Sequence, residues 1–445
     1  MRVLMLLMVF LGLSGTALVV PHVGVLVWTW IAVMVPHQLT WDIAANWNLV
    51  FVVALATALS WVLSAEPKRL PLDATTALIL LFMTWMTVST VFALVPAQSW
   101  GLWDRYFKFM VLIVAILGLM HRKSRIHALI WVLVLSVGYY GVKGGGFTLA
   151  TGGLYTVLGP DHSMLGDNNQ LAVGLAMTIP LINYLRLNSE NRLIRMGLVL
   201  AAALCLIAII GSYSRGGLLA LVAMLGFLAM KSRRKLLIFV LAAAVVVPGV
   251  MLMPERWKER MDTISHYDED ESVQGRLDAW TFAIRVAADR PLVGGGFGAT
   301  EVRRVFQEYV PGQKQRAAHS IYFMALGDLG YVGLGLFLAI LFVGWRNASW
   351  IIRASRNRPE RAWARDLADM TQVSLIGFMI GGAALSLTYF TLPYALIASM
   401  ALIRRMIRQE DAQAGKAAVP ARRPTPRPAL IPAEAGLRRS AAPAP

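Results

Sequence analysis

Three residues of this chain place a reactive or strongly charged side chain where a polar segment meets an apolar one: Arg215, Arg276 and His319. His319 stands in Gln315-Arg316-Ala317-Ala318-His319-Ser320, directly before an apolar run that opens at Ile321. A neutral imidazole at such a boundary is open to water and to a substrate held in a bilayer. Its ordinary pKa of about 6.5 suits a general base near neutrality. The competing reading is an interfacial or helix-capping histidine. Arg215 lies in Gly211-Ser212-Tyr213-Ser214-Arg215-Gly216-Gly217, between two apolar runs, and precedes a helix expected from about Gly217. A helix start already carries partial positive charge and free N–H groups, so an arginine there opposes the dipole unless an anion such as phosphate occupies the site. The alternative is an arginine reaching up to lipid headgroups. Arg276 follows Gly275 at the head of an expected helix over residues 275–289, with Trp280 one turn on, and the same dipole argument applies. Its alternative is an exposed surface arginine.

Weaker candidates surround these three. Arg105 and Lys108, beside Trp100 and Trp103, read either as further phosphate contacts or as interfacial anchors. Asp268-Glu269-Asp270-Glu271 offers carboxylate oxygens for a hard cation, although four consecutive acids are more often simply solvated. Asp161-His162 with Asp167 forms a polar loop that could face the same chamber. The glycines of residues 294–298 lack the spacing and the strand–helix context of a dinucleotide fingerprint and read as a turn. Cys205 is the single cysteine and sits in an apolar run, so a disulfide framework or a zinc cluster within one chain is excluded.

The elements that must position these residues are membrane-spanning. The chain has 445 residues, of which 57% are hydrophobic and 15% charged, and many runs approach the roughly 20 apolar residues a crossing helix needs. This defines an all-α polytopic membrane protein. The net charge of +17 is no nucleic-acid footprint, because the basic residues cluster in the short breaks around residues 121–125, 186–195, 231–235 and 346–365. That is the pattern that orients helices with basic breaks on the cytoplasmic side. If residues 1–35 cross once, the count is about twelve and both termini are cytoplasmic; if they form a hairpin, it is about thirteen. The loops at residues 96–103, 143–169, 211–215 and 254–318 then face the periplasm.

Residues 254–318 form the one long polar interruption. They hold ten Lys/Arg and eleven Asp/Glu, so the segment is close to neutral and can be translocated. Leu277, Trp280, Ala283, Ile284 and Ala287 recur at helical spacing, and residues 300–309 form another amphipathic stretch, so the loop reads as a partly helical cap. The transmembrane domain with this loop takes up residues 1–408. Residues 409–445 are rich in Ala, Pro and Arg and read as a disordered cytoplasmic tail.

Taken together, Ser214-Arg215-Gly216-Gly217, Gly275-Arg276-Leu277-Asp278-Ala279-Trp280, residues 294–298, and Ala318-His319-Ser320-Ile321-Tyr322 with Leu326-Gly327-Asp328-Leu329-Gly330 resemble the O-antigen ligase/polymerase superfamily of bacterial envelope glycosyltransferases. Each motif is short, but their order on one topology is specific, and the resemblance covers residues 170–387. It implies an inner-membrane enzyme that moves a glycan from undecaprenyl diphosphate, with inversion and with neither metal nor cofactor. Arg215 and Arg276 would hold the diphosphate with bidentate, charge-assisted bonds, Arg105 and Lys108 would add weaker contacts, and His319 would take the proton of the acceptor hydroxyl. The ligase branch, with lipid A–core as acceptor, is favoured over the polymerases, whose second periplasmic loop is usually arginine-rich; residues 143–169 contain only Lys143. A likeness to members associated with exosortase systems keeps a protein acceptor in play. Outside this superfamily, a transporter would place its charges near the bilayer midplane and show related halves. A noncatalytic assembly protein would tolerate single changes at the arginines or the histidine.

Overall fold

The computed structural model describes residues 2–39, 48–161, 163–231, 235–262 and 271–418. Among the described residues the regular elements are all helical: α1 (Arg2–Val19), α2 (Pro21–Met34), α3 (Leu49–Leu63), α4 (Ala74–Val91), α5 (Pro96–Leu119), α6 (Lys123–Thr151), α7 (Asn168–Leu187), α8 (Arg192–Gly211), α9 (Arg215–Lys231), α10 (Lys235–Met251), α11 (Glu255–Asp262), α12 (Glu271–Asp289), α13 (Arg303–Tyr309), α14 (Ile321–Ala354), α15 (Ala362–Gly382) and α16 (Thr391–Ala418). Helices α4, α6, α7, α8 and α14 are long and apolar enough to cross a membrane, and shorter apolar helices include α2 and α3. In a bilayer core every backbone polar group must be satisfied within its own segment, which a helical bundle achieves.

Helix α7 is the hub. It packs against α6, α8, α9 and α15 and is mostly buried inside the protein, whereas α8 is mostly not. Small residues allow the close approach that membrane helices rely on. A Cβ at Gly217 of α9 would stand 2.3 Å from Ala172 Cβ of α7, and one at Gly145 of α6 would stand 2.2 Å from the Leu204 carbonyl of α8.

Three expectations change. The point left open for residues 1–35 is filled in as well: they form two helices in contact with each other, and Pro21, which has no N–H to donate, opens the second. Helix α6 runs to Thr151, so Lys143 lies within a helix and the exterior loop is shorter than residues 143–169. Helix α12 begins at Glu271, which puts Arg276 in its second turn; the helix-start argument therefore does not apply to Arg276. Finally, α16 runs to Ala418, ten residues past the expected start of the tail, because 409–414 (Gln-Glu-Asp-Ala-Gln-Ala) are tolerable helix residues and the breaker, Pro420, comes later. Residues Met1–Ile407 form one compact unit and Arg408–Pro445 a second, of which the described part is this helical stretch.

Two polar assemblies mark the ends of α4. Beyond its first turn, Arg125 is only 7% exposed, donates to the Leu119 carbonyl at 2.8 Å, and pairs with Glu66, which His121 Nε2 also approaches at 3.5 Å. Beyond its last turn lies the long loop. Ser89 Oγ donates to the Val293 and Asp328 carbonyls, Leu94 N–H to the Gly295 carbonyl, and Phe297 N–H to Ser99 Oγ. The 294–298 turn therefore closes against α4 and α5. Gly296 adopts φ +82°, and a Cβ there would lie 2.3 Å from Ala93 Cβ, so glycine is required twice over. The loop has a core of its own: Phe282 and Phe306 stack at 5.2 Å, beside Val286, Ala299, Val305 and Val310. Removing one such ring costs about 3–5 kcal/mol.

Candidate active site

The turn that carries Arg215 is fixed from every side. Ser212 Oγ donates to the Ile209 carbonyl at 2.6 Å, Asn168 Nδ2 donates to the Ser212 carbonyl at 2.7 Å, and the Tyr213 hydroxyl donates to the Gly153 carbonyl at 2.6 Å. Ser214 Oγ accepts from Gly217 N–H at 2.9 Å, capping α9 with Arg215 as its first residue. Above it, Trp257 of α11 donates to the Ile210 carbonyl at 3.0 Å and closes a small core with Tyr213 and Met253.

His319 is fixed from three elements. Trp280 of α12 donates to the Ala318 carbonyl at 2.8 Å and stacks on Phe323 of α14 at 4.8 Å. The His319 N–H donates to Ser386 Oγ at 3.0 Å, in the α15–α16 connection, and Gln170 at the head of α7 reaches the Ser386 carbonyl at 3.3 Å. His319 has φ +41° and Tyr213 φ +57°, so two of the three described non-glycine residues in the left-handed region border the same cavity. Such backbones cost of order 1–3 kcal/mol each and persist where the surroundings over-determine them.

That cavity, of about 140 Å³, is lined by Arg215, Gly216, Arg276, Arg316, Asn169, Tyr213 and His319. The structure thus brings the three leading candidates together and adds Arg316. A second cavity of about 210 Å³ is also lined by His319, together with Arg105, Tyr106, Gln170, Glu301, Phe323, Asp328 and Ser386. Histidine 319 is the one charged-capable group common to both linings. Lys108 lines neither; it is ion-paired with Asp104 at 2.6 Å, one turn away on the exposed side of α5. Asp167, capping α7 through Asn169 N–H at 2.8 Å, is close enough to act on His319 electrostatically, whereas His162 and residues 268–270 lie outside the described residues.

The electrostatics favour a neutral imidazole. Although the His319 ring reaches solvent, the protein packed around it lowers its pKa, Arg276 and then Arg316 lower it further, and Asp167 opposes them. Burial raises the pKa of Glu301, which also lines the second cavity. Asp328 is 5% exposed and holds its place by accepting from the Tyr389 hydroxyl at 3.1 Å and from the Gly298 backbone. Tyr389 in turn stacks on Tyr106 at 4.3 Å.

Sequence reasoning did not nominate Arg316, Glu301, Gln170 or Ser386. Arg316 had a signal, being a cation three residues before a candidate base. Gln170 had one too, as a polar residue opening an apolar run. Glu301 and Ser386 had none.

Three arginines and a histidine thus line one cavity of an all-helical chain with several helices apolar enough to cross a membrane. Residues 200–338 match the family described as O-Antigen ligase, and residues 1–190 match a family of unknown function, DUF5935. No curated protein matches the chain. The first match spans Arg215, Arg276, Glu301, Arg316 and His319, and it supports the O-antigen ligase/polymerase superfamily and a ligase- or polymerase-type function.

Proposed function

We propose that the chain transfers a glycan from undecaprenyl diphosphate to lipid A–core at the periplasmic face of the bacterial inner membrane, with inversion and without a metal ion. The observation that carries this reading is the convergence of Arg215, Arg276 and His319 on one cavity from three separate elements. The donor diphosphate enters the cationic cavity, where guanidinium groups bind phosphate oxygens bidentately and do the work a metal does elsewhere. The acceptor sugar occupies the second cavity, its hydroxyl groups meeting Glu301 and its faces meeting the aromatic rings. Between the two, His319 Nε2 or Nδ1 takes the proton of the attacking hydroxyl as its oxygen bonds to the anomeric carbon from the face opposite the departing phosphate. A positioned base of this kind contributes typically 10²–10⁴-fold. Both substrates are amphiphiles and reach the site sideways from the bilayer.

The match to the O-antigen ligase family supports ligase- or polymerase-type transfer; lipid A–core is preferred as acceptor because residues 143–169 lack the arginines usual in the second periplasmic loop of polymerases. The topology follows from α4: its Glu66 end, ringed by His121, Arg122 and Arg125, is cytoplasmic, and its loop end periplasmic.

The test uses purified full-length protein, undecaprenyl-diphosphate-linked glycan and lipid A–core in the presence of EDTA. Wild type is expected to cap lipid A–core and folded His319→Ala to fail. Lengthening of the donor glycan instead would make the chain a polymerase. Activity with a peptide acceptor alone would make it a protein O-oligosaccharyltransferase, and movement of intact donor across vesicles without transfer would make it a transporter.

A further inference from the structure

Gly275 stands inside α12, four residues from its first residue, with ordinary helical backbone, so no turn and no positive φ calls for a glycine there. Glycine weakens a helix interior relative to alanine. What uses its bare face is Arg316. A Cβ on residue 275 would lie 2.4 Å from Arg316 Cδ, 2.6 Å from Nε and 2.9 Å from Cζ. The arginine side chain is therefore laid across the helix at the one position with no side chain, next to Arg276, and its guanidinium joins Arg215 and Arg276 in the wall of the 140 Å³ cavity.

Three cations exceed the charge of the donor. In a lipid–diphosphate–sugar both phosphates are diesters and carry one negative charge each. When the bond between the anomeric carbon and the phosphate oxygen breaks, its electron pair stays on that oxygen while the acceptor oxygen bonds to the carbon and the acceptor proton passes to His319. The outer phosphate is then a terminal phosphate, substituted only through the anhydride oxygen, whose further ionisation falls near pH 6, so a third negative charge develops as the leaving group departs.

We propose that Arg316 is a third phosphate ligand, positioned by Gly275, that binds the departing diphosphate more strongly than it binds the intact donor. This rests on the glycosyl-transfer reading above. An interaction stronger in the transition state than in the ground state raises kcat and leaves donor KM nearly unchanged. It also makes free undecaprenyl diphosphate a better ligand than the donor.

The experiment measures, for full-length protein in lipid nanodiscs, the Kd of undecaprenyl diphosphate, the Kd of the undecaprenyl-diphosphate-linked glycan, and turnover. The variants are Arg316→Ala, Arg316→Lys and Gly275→Ala. Arg316→Ala is expected to weaken undecaprenyl diphosphate binding and to lower kcat by at least about tenfold, with the donor Kd changing less than about threefold. Arg316→Lys recovers part of both losses, keeping the charge without the fork. Gly275→Ala, the better helix former, moves both quantities in the same direction as Arg316→Ala with helix content and Tm unreduced. Equal loss of donor and product binding in Arg316→Ala, or a Gly275→Ala protein with wild-type product affinity and turnover, overturns the proposal. If wild type binds undecaprenyl diphosphate through Arg316 but moves no glycan, the third ligand stands and the transfer reading falls. If it moves glycan and Arg316→Ala matches it, the reverse holds.

Discussion

The two cavities that meet at His319 are built from opposite chemistry. One is small, cationic and made of three guanidinium groups on α9, α12 and the segment before α14; the other is larger and mixes an arginine, two carboxyl side chains, amide and hydroxyl groups and aromatic faces. A cationic wall recognises charge and is tolerant of what the charge is attached to. A mixed wall of hydrogen-bonding groups and rings recognises the pattern of hydroxyls on a sugar. That difference is the basis on which the proposed reading gives the diphosphate to the first cavity, the acceptor to the second, and the proton to His319, which lines both.

That assignment can be broken at its shared wall first. His319→Ala is expected to lower turnover by about 10²–10⁴-fold while both substrates still bind, which single-turnover kinetics with separate binding measurements would check. Breaking the cationic wall comes next: Arg215→Ala or Arg276→Ala removes charge-assisted hydrogen bonds of about 1.5–3 kcal/mol each and weakens donor binding by about 10–100-fold, with acceptor KM unchanged. Equal losses for both substrates would refute the division of labour. On the other side, Glu301→Gln is expected to raise acceptor KM by about 3- to 10-fold with donor KM unchanged.

A pH profile sharpens the comparison further. Burial and Arg276 hold the folded His319 pKa below 6.5, so the base stays neutral as pH falls through 6.5, and kcat/KM declines only once pH falls through the lower, folded value. Arg276→Gln removes a cation that lowers this pKa, so the acid limb of its residual activity moves to higher pH. The smallest effect belongs outside both cavities: Lys108→Ala breaks a solvent-exposed pair worth no more than about 0.5 kcal/mol and leaves both KM values alone.

Much of this arrangement was legible in the chain. Apolar runs announced the bundle, the basic breaks announced which helix ends lie together, and Arg215 and His319 stood out because each interrupts the change from polar to apolar sequence. What the sequence hid was contact between distant segments. The bare face of Gly275 matters only because Arg316 is folded across it, and no spacing encodes that. Arg276 was found for a reason that does not hold, since α12 starts before it; its place beside the cavity comes from the facing of the helix, not from its end. Lys108 looked like a partner of Arg105, but residues three apart on α5 diverge enough that one lines a cavity and the other reaches back to Asp104. For residues 1–35 both a single crossing and a hairpin were open, because no residue was used to divide them; Pro21, which opens α2, does so in the structure.

The turn at residues 294–298 carries a consequence for how such a chain can be taken apart. Its hydrogen bonds, with those that the neighbouring Val293 and Asp328 carbonyls accept from Ser89, run from the segment matched to the O-antigen ligase family to Ser89, Leu94 and Ser99 of the segment matched to the other family. Neither stretch is a removable cassette: the first supplies the surface on which the second closes its loop, and Arg105 and Gln170 of the first face Glu301 and His319 of the second across one cavity. Exchanging the ligase-like stretch between relatives would therefore succeed only when the α4–α5 corner travels with it, and two half-chains expressed apart would recover the site only by finding each other again.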